Sequence, residues 1–198
     1  MLLKNLEKLV RRTGSAELIC GGDCLWIDNG YVIAPLADFE TLTDEQFYVV
    51  FNIKEDKRND FLLSRRGMVP REQDLFLDLH PDEEALACDL SRRLRFGGAD
   101  AVPLLSSRGI LYADLRDLAP FLKEDEQTVF YARWSSDGDV VPKIAAKRGM
   151  MLAGLLDPMI TPVKSPAIAD WLEDLAKATR RALEQGYAIE EEKERNEE

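Results

Sequence analysis

TDEQFYVVFNI, residues 43–53, admits two readings, and the fold turns on which one holds. Read locally it is a helix. Thr43 followed three residues later by Gln46 has the form of a capping box, in which the two side chains satisfy backbone N–H groups that a helix start leaves orphaned. Read by composition it is a strand, because residues 47–53 form a β-branched and aromatic run.

A longer-range pattern favours the strand. Asp44-Glu45-Gln46 recurs as Asp125-Glu126-Gln127, and Arg65-Arg66-Gly67-Met68 recurs as Lys147-Arg148-Gly149-Met150. Arg11-Arg12 recurs as Arg92-Arg93, and Gly30-Tyr31-Val32-Ile33 faces Gly109-Ile110-Leu111-Tyr112. The matches keep their order at offsets of 79 to 82 positions, as an internal duplication would. Duplication places residues 47–53 on residues 128–134, a run of the same character, so both are expected to be strands. Residues 54–60 then form the turn that answers Ser136-Asp137-Gly138.

The flanking segments fit paired units. Leu2, Leu3, Leu6, Leu9 and Val10 recur at helical spacing and stop near Gly14. Pro81 followed by Leu86, Leu90 and Leu94 predicts a second helix, ended by Gly97-Gly98. Each unit then carries a hairpin. Residues 25–27 and 31–33 flank Asp28-Asn29-Gly30, and residues 102–105 and 110–113 flank a turn closed by Gly109. Asp114 caps a short helix over 115–122, and residues 140–146 and 151–156 read as further strands. The expected fold is α+β. Two similar helix-plus-antiparallel-sheet repeats, residues 1–80 and 81–162, form a pseudo-twofold pair or one continuous sheet. An amphipathic C-terminal helix spans 163–189, and an acidic disordered tail spans 190–198.

The 198 residues carry a formal net charge of −11, spread evenly over the body with a further excess in EEEKERNEE at the end. A general attraction to polyanions is disfavoured, since that needs clustered positive charge. No apolar run approaches the length of a membrane helix, and the charged leucine-rich start lacks a signal peptide's apolar centre, so no membrane association is expected. Three cysteines make no even framework, which points to the reducing cytoplasm.

The chemistry-bearing residues are sparse. Cys20 and Cys24, separated by Gly-Gly-Asp, would face each other across a three-residue turn; with the remote His80 and Cys88 they lack the spacing of a structural zinc site. His80 is the sole histidine and has no Gly-x-Ser-x-Gly partner, and no phosphate-binding glycine loop is present. Glu55 and Lys57, with Asp38 or Asp44, are the weak makings of a metal-dependent hydrolase or nuclease. No cofactor or metal is implied. Five basic pairs remain as binding candidates: Arg11 with Arg12, Arg65 with Arg66, Arg92 with Arg93, Lys147 with Arg148, and Arg180 with Arg181. If they converged they would bind phosphate backbone, although cations at helix C-termini and strand ends are also ordinary. The expected function is a non-catalytic protein-interaction or assembly module, with a protein partner or self-association favoured over nucleic acid.

Overall fold

A computed structural model describes residues 2–21, 24–91, 93–96, 98–122, 127–134 and 142–159, together with 177, 180 and 181. In it the local signal at residues 43–53 wins. Asp44–Val50 is a helix, α2, and both arms of the capping box form: Gln46 N donates to Thr43 Oγ1 at 3.3 Å, and Thr43 N to Gln46 Oε1 at 2.8 Å. Phe47 and Phe51, one turn apart, are fully buried and stack at 4.6 Å between centroids. Asn52, at φ 50°, closes the helix; its N–H reaches Val49 O while Ile53 N reaches Tyr48 O, the Schellman arrangement. The strand expected over 47–53 is therefore incorrect. Caps at both ends and an i, i+4 aromatic pair outweigh β-branched composition. The expected turn over 54–60 holds a single helical turn, α3, Glu55–Arg58.

Before it comes α1, Leu2–Thr13, which buries Leu6, Leu9 and Val10 and ends at Gly14 with φ 68°. A meander follows: β1 Ser15–Gly21, β2 Cys24–Asp28 and β3 Val32–Leu36. The β2–β3 hairpin forms where expected, its turn held by Asn29 Oδ1, which accepts from Tyr31 N and Val32 N. After α3 the chain returns as β4, Leu62–Gly67, parallel to β1 from Ser15↔Leu62 to Cys20↔Gly67.

The remainder supplies β5 Glu83–Cys88, β6 Leu94–Phe96, β7 Ala99–Ser106, β8 Gly109–Asp114, α4 Leu115–Leu118, β9 Thr128–Arg133, β10 Lys143–Arg148 and β11 Met151–Leu156. All eleven strands join one sheet in the order β4-β1-β2-β3-β11-β10-β9-β5-β7-β6, with β8 also on β7. The two halves meet where β3 pairs with β11, at Val32↔Leu156 and Ile33↔Leu155. Beyond β11, Met159 N donates to Tyr112 O of β8 at 2.7 Å, so the second half curls back on itself.

The helix expected from Pro81 is a strand instead. Glu83 to Leu86 pair with β9, and the Asp89 carboxylate accepts from Ser91 N and Oγ, a local turn that breaks helical continuity before Leu90 and Leu94 can extend it. Elements at matched positions thus differ: α1 answers to β5, α2 to β9, and Gly67 lies in a strand whereas Gly149 makes a turn at φ 58°. Apart from residues 177, 180 and 181, the expected C-terminal helix over 163–189 and the tail over 190–198 lie outside the described residues.

The sheet has two faces. One buries the larger core beneath α1, α2 and α4, including Leu18, Ile27, Phe47, Val102, Phe121, Phe130 and Ile144. The other buries a smaller cluster of Ile19, Trp26, Ile33, Ala145 and Leu155 under a 3₁₀ helix, Pro70–Phe76, that brings Leu75 and Phe76 onto it. This strap carries the chain from the first half to the second.

Candidate interaction surface

The strap is held down by charge. Arg133 has no exposed side-chain surface, and its guanidinium donates to the carbonyls of Leu75 (2.8 Å), Leu77 (2.6 Å) and Asp78 (3.2 Å). The same group meets Glu83 Oε2 at 2.8 Å, while Lys147 Nζ reaches Glu83 Oε1 at 2.6 Å and lies 4.9 Å from the Tyr131 ring centre. β-Alternation explains the meeting: Glu83 pairs across from Arg133, Lys147 across from Val129, and all point to the strap face. Burial pushes the Glu83 carboxyl up, but Lys147 and Arg133 together hold it below the usual carboxylate range. Asp78 Oδ1 accepts from Leu152 N at 2.7 Å, beside the irregularity in the β10–β11 ladder.

The basic pairs expected as a binding track are placed apart and largely engaged. Arg11 pairs with Glu7 along α1, and Arg12 bonds Asp117 of α4 at 2.5 Å. Burial lifts Asp117 above the usual range, with Arg12 opposing it. Arg65 bonds Asp44 and the Leu42 carbonyl, while Arg66 spans Glu17 and Glu72 at 2.7 Å each. Lys147 belongs to the buried knot, and Arg148 ends the same strand. Arg93 donates to Leu90 O at 3.1 Å; Arg180 and Arg181 are exposed helical residues, and Arg92 lies outside the described residues. Four strands, β1, β2, β3 and β11, separate the pair on β4 from the pair on β10. At the usual strand spacing that is roughly 24 Å along the sheet.

The remaining candidates disperse as well. Cys20 pairs with Leu25 and Gly21 with Cys24, so the register is one residue off the opposed-cysteine expectation. Strand alternation then sends Cys20 and Cys24 to opposite faces, and no disulfide joins the cysteines among the described residues. Burial drives the Cys88 thiol up to about 11. His80 is buried, its Nδ1 accepting from Asp82 N at 3.1 Å. Glu55 and Lys57 are exposed on α3, and Asp44 is given to Arg65. Among the described residues no three His, Cys, Asp or Glu side chains converge.

Two surface features stand out. The first is the outer edge of β4. Leu62 N bonds Gly14 O and Met68 N bonds Cys20 O, so in the parallel pattern Leu62, Ser64 and Arg66 face β1. The N–H and C=O groups of Leu63, Arg65 and Gly67 face outward, without a backbone partner among the described residues. Leu62 itself is 74% exposed. The arginines that would shield such an edge are drawn away, Arg65 toward α2 and Arg66 toward the strap.

The second is a groove of about 330 Å³ formed by Phe39, Leu42, Val49 and Val50 and rimmed by Glu45 and Gln46. Val49 is 72% exposed on a helix whose opposite side is fully buried. Glu45 is the one charged residue of the groove's lining, and the exposed Asp38 and Glu40 flank Phe39 in the chain. The acidic residues on either side of Phe39 are the sequence signal for the groove.

Among the described residues no helix is long and apolar enough to cross a membrane. Comparison of the chain with protein-family models, with curated proteins and with solved structures finds no match.

Proposed function

We propose that this protein is an interaction module that takes up a strand from another chain, or from a second copy of itself, along β4. The observation that supports the reading is the six-residue edge with outward peptide groups at Leu63, Arg65 and Gly67. A strand added there would gain main-chain hydrogen bonds without rearranging the sheet. The engaged state of Arg65, Arg66 and Lys147 favours a protein partner over a phosphate backbone. We also read the hairpins β2–β3 and β7–β8, which close on Gly30 and Gly109 at positive φ, as the parts of a duplicated unit that still correspond. Three cysteines without a disulfide among the described residues suit the cytoplasm.

Gly67→Pro tests the edge, because it removes an outward N–H at a position where an added Cβ meets nothing within 4 Å. Lysine-directed crosslinking of the full chain in cell extract should join it to another polypeptide. Gly67→Pro and Leu62→Lys should abolish that crosslink while melting like the wild type. An uncrosslinked wild-type chain, or a crosslink indifferent to both substitutions, would overturn the reading.

A further inference from the structure

We infer that the groove beside α2 is a docking site for a cationic segment of a partner protein, one that carries large apolar anchor side chains flanked by lysine or arginine. The inference deepens the interaction-module reading and rests on it, but it concerns a different surface from the β4 edge.

The groove has an apolar floor and an acidic setting. Phe39, Leu42, Val49 and Val50 line it. At about 330 Å³ it lies at the small end of binding pockets, suited to anchor side chains rather than to a whole small ligand. Val49 is the informative residue. In a short helix that turns Phe47 and Phe51 inward, an exposed position has no packing reason to be β-branched and apolar, and Val is a mediocre helix former. A valine there adds apolar surface to the groove and little to the fold.

Charge selects the occupant. Asp38, Glu40, Asp44 and Glu45 are all exposed around the groove. Asp44 and Glu45 are met by Arg65 and Arg58, which come from β4 and α3 on one side. Asp38 and Glu40 form no ion pair among the described residues. No Lys, Arg or His lines the groove, and Arg65, which reaches the Leu42 carbonyl, is itself engaged by Asp44, so the charge of Asp38 and Glu40 faces no paired cation among the described residues. An acidic or neutral apolar segment would meet repulsion or indifference, whereas a basic one is steered in and its anchors then desolvated. The electrostatic part weakens with salt and the apolar part does not.

The test uses the full chain and a fluorescent peptide made only of leucine and lysine, with its leucine–glutamate counterpart and oligolysine as controls. The leucine–lysine peptide should bind, and both controls should bind at least about tenfold more weakly, the equivalent of 1.4 kcal/mol. Val49→Asp should weaken the leucine–lysine peptide about tenfold or more, although it adds a negative charge. Attraction to the acidic chain as a whole would instead tighten with that substitution. Asp38→Lys combined with Glu40→Lys should weaken it too, and Val49→Ala should fall between wild type and Val49→Asp. Equal binding of oligolysine, equal binding of the leucine–glutamate peptide, or unchanged affinity in Val49→Asp would overturn the assignment. Gly67→Pro separates the two surfaces: if peptide binding survives it, the groove stands whether or not the edge does. If the edge crosslink persists in Val49→Asp while peptide binding never appears, the edge stands and the groove falls.

Discussion

Glu83 and Arg133 sit directly opposite one another on β5 and β9, joined at 2.8 Å, and Arg133 extends past its partner to three carbonyls of the strap. A guanidinium suits this position because it offers five donors in a rigid fork, and four of the contacts it makes here are with separate groups. Arg133→Met should cost about 3–5 kcal/mol, since it leaves Glu83 with Lys147 as its one remaining cation and strips the strap carbonyls of Leu75, Leu77 and Asp78 of their donor. Arg133→Lys should recover only part of that loss. Urea unfolding midpoints of the three chains would check the order.

The same carboxylate sets part of the acid response. Glu83 is held below its unfolded pKa by Lys147 and Arg133 against the push of burial, and Asp114 is held down by Arg116 in the same way. A depressed carboxylate contributes stability that is present above the unfolded value and lost as pH falls through the lower folded one. Asp117 and Asp28, raised by burial, work in the opposite sense, and their contribution is lost as pH rises through their folded values. Glu83→Gln should therefore be less stable than wild type near neutrality and should lose less further stability between roughly pH 5 and pH 2.5. Urea titrations across that range would show it, and an acid limb as steep as the wild type's would refute it.

At α2, the capping box is a local device with a local cost. Thr43→Ala should lower stability by about 1 kcal/mol and Gln46→Ala by less, while Thr43→Ser should be nearly silent. For a chain of this size 1 kcal/mol is about 2–4 °C in melting temperature. Circular dichroism melts are sufficient to read it.

Thiol chemistry should follow exposure. Cys20 is exposed, whereas Cys88 is partly buried with its thiol raised to about 11. Iodoacetamide at neutral pH should label Cys20 in the native protein and Cys88 only on unfolding, because the thiolate is the reactive form. Native oxidation should not join Cys20 to Cys24, since they point to opposite faces of the β1–β2 pair. A Cys20–Cys24 disulfide found by peptide mapping would contradict the register.

Sequence reading reached the elements whose signals are local and uncontested. Asn29 and Gly30 specify the β2–β3 turn, and Asp114 caps α4; the apolar runs over 128–134 and 151–156 form β9 and β11, the latter buried on both faces. It went wrong where a distant resemblance was set against local chemistry. At residues 43–53 the capping box, the Phe47–Phe51 spacing and Asn52 all pointed to a helix, and the apparent repeat overruled them. At residue 81 a four-residue leucine spacing imitated a helix that the Asp89 turn interrupts. The buried knot was out of reach for a different reason. Glu83, Arg133 and Lys147 are distant in sequence, and only the order of strands brings them onto one face. The groove was legible in principle, in the acidic residues on either side of Phe39.

The β3–β11 seam has a consequence in time. Val32 and Ile33 meet Leu156 and Leu155 across more than a hundred intervening residues, so this ladder can close only after nearly the whole described chain has been made. During synthesis β1, β2, β3 and then β4 can assemble early, leaving the flank of β3 bare while β5 to β11 are still to come. Closing so long a loop is slow, and an unpaired flank invites neighbouring chains to pair with it. The interval between the emergence of β3 and the arrival of β11 is thus the period in which this protein is most exposed to misassembly.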